Sequence, residues 1–130
     1  MKTWAALTTL AVLFGPAGLA QAAQLLSPPF PTAINTSGAC YVRNTGAAPV
    51  TVHVSVFSNN GLSVNPGFQN CNGVGPLGAG HTCVVLVDDL PDSSYAACSV
   101  TAGNVSKLRG TFELREITPT LRVLVAEDLR

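Results

Sequence analysis

The side chains that could carry chemistry are the two histidines His53 and His81, the acids Asp88, Asp89 and Asp92, the serines Ser93 and Ser94, and the cysteines Cys40, Cys71, Cys83 and Cys98. A neutral imidazole binds metal or moves a proton near neutral pH. His81-Thr82-Cys83 places two metal-ligand types close in sequence, and the Asp88–Asp92 cluster offers the carboxylate oxygens that calcium takes. Serine hydrolysis needs a nucleophile, a base and an orienting carboxylate, and all three types occur. The patterns that organise such groups are missing. The acids depart from the Asp-x-Asp-x-Asp-Gly loop, Pro91 stiffens their turn, and no Gly-x-Ser-x-Gly elbow carries Ser93 or Ser94.

What the cysteines do depends on the compartment, and the start of the chain bears on that. Lys2 precedes an apolar run from Trp4 to Phe14, and small residues follow up to Ala20-Gln21-Ala22, the three-part pattern of a secretory signal peptide. Gly15, Pro16 and Gly18 interrupt the run before it reaches the roughly 20 residues of a permanent membrane helix. Residues 1–22 are therefore expected to be cleaved. No cysteine before Cys40 is placed to take a lipid, so no membrane anchor is expected after cleavage, and the product is read as secreted or periplasmic.

An oxidising compartment favours disulfides over free thiols, which removes Cys83 as a metal ligand. Four cysteines allow three pairings. Cys71 and Cys83 bracket the glycine-rich segment 72–80, which bends back readily, and pairing them leaves Cys40 with Cys98. That long-range bridge removes denatured-state freedom worth about 3 to 4 kcal/mol. Charge excludes two partner classes. Lys and Arg total 7 and Asp and Glu total 7, and without Lys2 the domain carries one more acid than base. So sparse a charge offers no electrostatic footprint for nucleic acid or an anionic membrane. A protein or small ligand is the expected partner, with no cofactor and no metal.

The elements that must position these residues read as strands. Residues 23–39 form a Pro/Ser/Thr-rich lead-in with at most an edge strand, and residues 40–130 form one β-sandwich domain. A short extended segment runs from Cys40 to Asn44. Val50, Val52, Val54 and Val56 then alternate with Thr51, His53, Ser55 and Phe57, the period of a half-buried strand. Residues 62–82 are a long glycine-bearing connection. Cys83–Val87 is continuously apolar, as for a strand buried on both faces, and residues 88–94 read as a polar turn before a strand from Tyr95 to Val100. Leu108, Gly110, Phe112 and Leu114 oppose Lys107, Arg109, Thr111, Glu113 and Arg115, and after Pro119 the residues Leu121, Val123 and Val125 make a last strand. The basic face of Lys107, Arg109 and Arg115 either meets an anion or blunts the sheet against aggregation. Asn35-Thr36-Ser37 and Asn104-Val105-Ser106 match the glycosylation acceptor pattern.

No segment after the leader shows a helical period. An all-β domain of about six or seven short antiparallel strands is expected, packed as two sheets with two disulfides. A Cys40–Cys98 bridge between an early and a late strand resembles the inter-sheet disulfide of immunoglobulin-like domains, without their buried tryptophan, since Trp4 lies in the leader. The run Cys40-Tyr41-Val42-Arg43-Asn44-Thr45-Gly46, the valine strand, Leu77-Gly78-Ala79-Gly80-His81-Thr82-Cys83, Ala97-Cys98-Ser99-Val100 and Lys107-Leu108-Arg109-Gly110 together resemble small secreted bacterial β-sandwich proteins of unassigned function, over residues 40–116. The resemblance implies a periplasmic or extracellular sandwich and transfers no catalytic residue.

The leading expectation is an exported, non-catalytic binding or accessory module. One alternative is a metal-handling protein or small hydrolase using His53, His81 and the Asp88–Asp92 cluster. Another is a subunit of a surface assembly that pairs by strand addition. Intact-mass measurement of the exported chain, with and without reduction, should show four fewer hydrogens before reduction than after; four free thiols would exclude the two bridges.

Overall fold

The computed structural model describes residues 22–59, 61–117 and 122–130. The expected signal peptide, Ala22 apart, lies outside the described residues, as do Pro119 and Leu121. The described residues form nine strands: β1 (Ala23–Leu26), β2 (Phe30–Pro31), β3 (Thr36–Asn44), β4 (Val52–Ser58), β5 (Phe68–Gln69), β6 (Thr82–Val87), β7 (Tyr95–Ala102), β8 (Leu108–Glu116) and β9 (Arg122–Asp128). All pairings are antiparallel. In one sheet, β7 has β4 along one edge and β1 and β2 end to end along the other. The second sheet runs β5-β6-β3-β8-β9.

The fold is thus all-β in two sheets, with nine strands rather than six or seven. The six strands marked by alternation or apolar runs are present. The additional β1, β2 and β5 are four, two and two residues long, too short to display a period. Their pairing comes from a neighbour's free hydrogen-bonding groups rather than from their own pattern. Pro31 fits because β2 lies on an edge, where a missing N–H disrupts no ladder.

Alternation turns one face of each sheet inward. Val52, Val54 and Val56 of β4 are buried while His53 is exposed, and Leu108, Phe112 and Leu114 of β8 are buried while Arg109 is exposed. β6 departs from the expected two-sided burial. Cys83, Val85 and Val87 are buried, but Val84 and Leu86 are half-buried, because among the described residues no second layer covers the outer face of this sheet. The 88–94 turn also differs, since it drives Leu90 into the core, where its N–H bonds the Thr36 carbonyl. Asp89 and Ser93 allow this path by taking positive φ, at 53° each. Phe112 is the largest fully buried side chain and meets Phe30 of β2 at 6.1 Å between ring centroids. Gly38 makes room for it. A Cβ there would sit 3.1 Å from the Phe112 ring.

Cys40 on β3 is bonded to Cys98 on β7, joining the sheets through the core with both residues fully buried and their Cα atoms 6.0 Å apart. Cys71 is bonded to Cys83, clamping the long connection to the start of β6. With sequence separations of 58 and 12 residues, loop-closure entropy makes the first bridge worth about 4 kcal/mol and the second about 3 kcal/mol. In urea unfolding, Cys40→Ala/Cys98→Ala should therefore lose about 4 kcal/mol or more, since it also leaves a cavity, and Cys71→Ala/Cys83→Ala somewhat less.

Candidate functional site

The reactive side chains are spread over the molecule. His53 stands on the outer face of β4, where Nε2 lies 3.3 Å from Ser55 Oγ and the cross-strand neighbours are Thr101 and Ser99. None of these is a carboxylate that could orient a Ser–His pair. His81 is exposed just before β6, whereas Asp88, Asp89 and Asp92 follow the other end of that strand. Six strand residues at about 3.3 Å each put roughly 20 Å between them. Among the described residues no group of three or more His, Cys, Asp or Glu side chains gathers as metal ligands would. His81 lines a cleft of about 230 Å³ beside the Cys71–Cys83 bridge, which is below the roughly 300 Å³ of the smallest ordinary ligand pockets.

The basic face of β8 is also largely committed. Arg115 lies over the Tyr41 ring at 5.5 Å, donates to the Tyr41 hydroxyl, and bonds Glu113 at 2.6 Å. Burial lowers the pKa of this guanidinium, but the hydrogen bonds to Glu113 and Tyr41 outweigh that and hold it above its ordinary value. It remains charged under all physiological conditions. Arg109 turns back on its own backbone, donating to the Leu108 carbonyl at 2.7 Å. Asn35 and Asn104, the glycosylation candidates, are both exposed.

The distinguishing surface is a sheet edge. A strand with one neighbour presents unpaired N–H and C=O groups that invite another strand, and proteins blunt such edges. The β4 edge is covered by the long connection. Val50 and Leu77 exchange backbone hydrogen bonds, Val64 N–H reaches the Val56 carbonyl at 2.8 Å, and Ser58 N–H reaches Leu62. Between them the Asn72 amide acts as a one-residue strand. Its Oδ1 accepts from Val54 N–H at 2.8 Å and its Nδ2 donates to the Val54 carbonyl at 2.7 Å. The β5 edge is two residues long, and the β1–β2 edge is broken by Pro28, Pro29 and Pro31.

β9 is the exception. It is seven residues long and exposed throughout, with Val123 at 50%, Leu124 at 41% and Val125 at 36% of their full exposure. β8 is its sheet neighbour on one side, and among the described residues no strand lies on the other. Among the described residues its blunting contacts gather at its C-terminal end, where Leu26 and Arg130 exchange two backbone hydrogen bonds of 2.9 and 3.0 Å and Leu26, Ser27 and Pro28 line a cleft with Glu127 and Asp128. The sequence pattern marks the strand but not its exposure, because exposure depends on what lies opposite. Asn72 was equally hidden, as a side chain capping a distant strand has no periodic signature. Comparison with known proteins finds no matching family model, no matching curated protein and no matching solved structure.

Asn72→Ala should cost about 1 to 3 kcal/mol in urea unfolding, the price of two unpaired backbone groups on β4. It should also raise light scattering of concentrated protein as that edge opens. Asn72→Asp, which keeps the acceptor and loses the donor, should fall between.

Proposed function

We propose that this chain is an exported, non-catalytic binding module whose docking surface is the β9 edge, engaged by addition of a partner strand. The supporting observation is the contrast between edges. β4 is capped along its length, β5 and the β1–β2 line are short or proline-broken, and β9 alone among the described strands offers a long apolar edge. In strand addition the main chain supplies affinity and alternate side chains supply specificity. Seven residues extend about 23 Å, room enough for a peptide to form several ladder hydrogen bonds.

Residence in the periplasm or outside the cell is part of this reading. Two disulfides and a leader-like start support it, since such bridges persist under oxidising conditions. The Cys40–Cys98 bridge between central strands of the two sheets supports an immunoglobulin-like sandwich, and the wider likeness to small secreted bacterial sandwiches fits the same picture.

The ladder to β8 fixes which groups a partner would meet. Leu129 N–H bonds the Gly110 carbonyl, and antiparallel alternation then turns the N–H of Glu127 and Val125 toward β8 and those of Ala126 and Asp128 outward. Random peptides selected by phage display on the exported chain should converge on alternating apolar segments. Their binding should drop at least tenfold on Ala126→Pro, which removes an outward N–H, and on Val123→Lys, which leaves the backbone intact. Near-ultraviolet circular dichroism should show both variants folded. Peptides that bind both folded variants as well as the parent would overturn the β9 assignment.

A further inference from the structure

The charge order along β9, set by its ladder to β8, points to a second copy of this chain as the strand that β9 receives; this rests on the β9 reading above. The ladder pairs Arg122 with Glu116, Val123 with Arg115, Val125 with Leu114, Ala126 with Glu113, Glu127 with Phe112 and Asp128 with Thr111, and it passes over Leu124 as a bulge. Leu114 and Phe112 face the core. Arg122, Val125 and Glu127 therefore share the core-side face of the sheet, while Val123, Ala126 and Asp128 share the outer one. Without the bulge Arg122 and Glu127, an odd number of residues apart, would point to opposite faces.

Two β9 strands related by a two-fold axis run antiparallel, so each position meets its mirror position. Centred on Val125, the pairing sets Val125 against Val125 of the second copy and Val123 against Ala126. Arg122 then meets Glu127, and symmetry repeats that charge pair on the other side. The backbone agrees with this register. Ala126 directs its N–H outward and Val123 lies on the same ladder parity, so these two form the hydrogen-bonded pairs while Val125, bonded to β8, sits on the axis.

The monomer leaves Val125 and Glu127 uncompensated, whereas Arg122 already has Glu116 of β8 opposite it. Val125 is on the core side beside buried Leu114, yet keeps 36% of its exposure. Glu127 has Phe112, not a cation, as its cross-strand neighbour. Centring the pairing on Ala126 instead sets Glu127 against Val125 and leaves Arg122 without an acid. An unrelated strand would gain from the apolar centre, but the basic start and acidic end of β9 complement themselves in the Val125 register.

Sedimentation of the full exported chain should reveal a dimer of two copies that weakens as salt rises. Arg122→Glu and Glu127→Arg should each raise the dimer dissociation constant about tenfold, because two favourable pairs become two repulsive ones. Arg122→Glu/Glu127→Arg should return it to within about threefold of the parent. All four side chains involved are exposed, so thermal unfolding at a concentration where each variant is monomeric checks that folding is unchanged. A chain that stays monomeric at millimolar concentration, or a dimer indifferent to the single exchanges or not rescued by the double one, overturns self-pairing. If peptides selected on that monomer still require Ala126, β9 accepts a foreign strand and only the self-partner is wrong; if they do not, both readings fail together.

Discussion

Every β-sheet that does not close on itself ends in two strands with unpaired backbone groups, and a sandwich of two sheets has four such edges. How this chain treats its edges organises most of what surrounds the core. Along one side of the sandwich the long 59–81 connection serves both sheets at once. It pairs as β5 with Leu86 and Val85 of β6, bonds Cys71 to Cys83, and then lays the Asn72 amide on Val54 of β4 in the other sheet. The disulfide and the amide belong to adjacent residues. The covalent clamp fixes Asn72 against the strand it caps, so a segment with little apolar side chain of its own is held by one bridge and a series of backbone hydrogen bonds. On the opposite side, among the described residues, the Leu26–Arg130 backbone pair joins the two sheets' edges.

The core explains why crosslinks are needed. Its largest fully buried side chains are Phe112 and Leu108, and the rest is mainly valine, alanine and cysteine. Valine suits a pleated surface but buries less area per residue than leucine or phenylalanine. The Cys40–Cys98 bridge compensates by tying β3, with β6 and β8 on its flanks, to β7, with β4 and the β1–β2 line on its flanks. Both sheets are joined at their middles, which leaves the outer strands free to vary in length and cover. The fully buried Asn44 extends the same economy to the loops. It accepts from Gly46 N–H and donates to the Ala48 and Leu77 carbonyls, so one satisfied amide orders the turn after β3 and the connection beneath it.

Much of this was legible in the residues. Period two marked the valine strand and β8 because each faces a core on one side and solvent on the other, and glycines between Cys71 and Cys83 marked a segment able to turn back. What escaped had no local signature. β2 and β5 are strands only because Tyr95–Ala96 and Val85–Leu86 present partners to them. Leu90 reads as a residue in a polar turn until its N–H bonds the Thr36 carbonyl and its side chain packs into the core. The histidines and acids drew notice by chemical type, but β6 separates His81 from Asp88 by its own length, and sequence proximity along a strand is distance in space. For the candidate site the limit is sharper still, since alternation identifies β9 as a strand and says nothing of whether a neighbour covers it.

The bulge at Leu124 shows how far a single irregularity can shift meaning. Read by strict alternation, Arg122 would lie with Leu124, Ala126 and Asp128, and Val123 with Val125 and Glu127. The structure passes over Leu124, so Arg122 changes faces and joins Val125 and Glu127. A bulge usually twists an edge away from further pairing, and here it adds twist near the basic end of β9. The same step gathers Arg122, Val125 and Glu127, the strand's base, its core-side valine and one of its two acids, on one face. An edge that were merely unprotected would gain nothing from that arrangement. Complementary charges flanking an apolar centre penalise a slipped register such as the one centred on Ala126, which sets Glu127 against Val125. Selectivity of that kind is what the proposed pairing at the β9 edge requires.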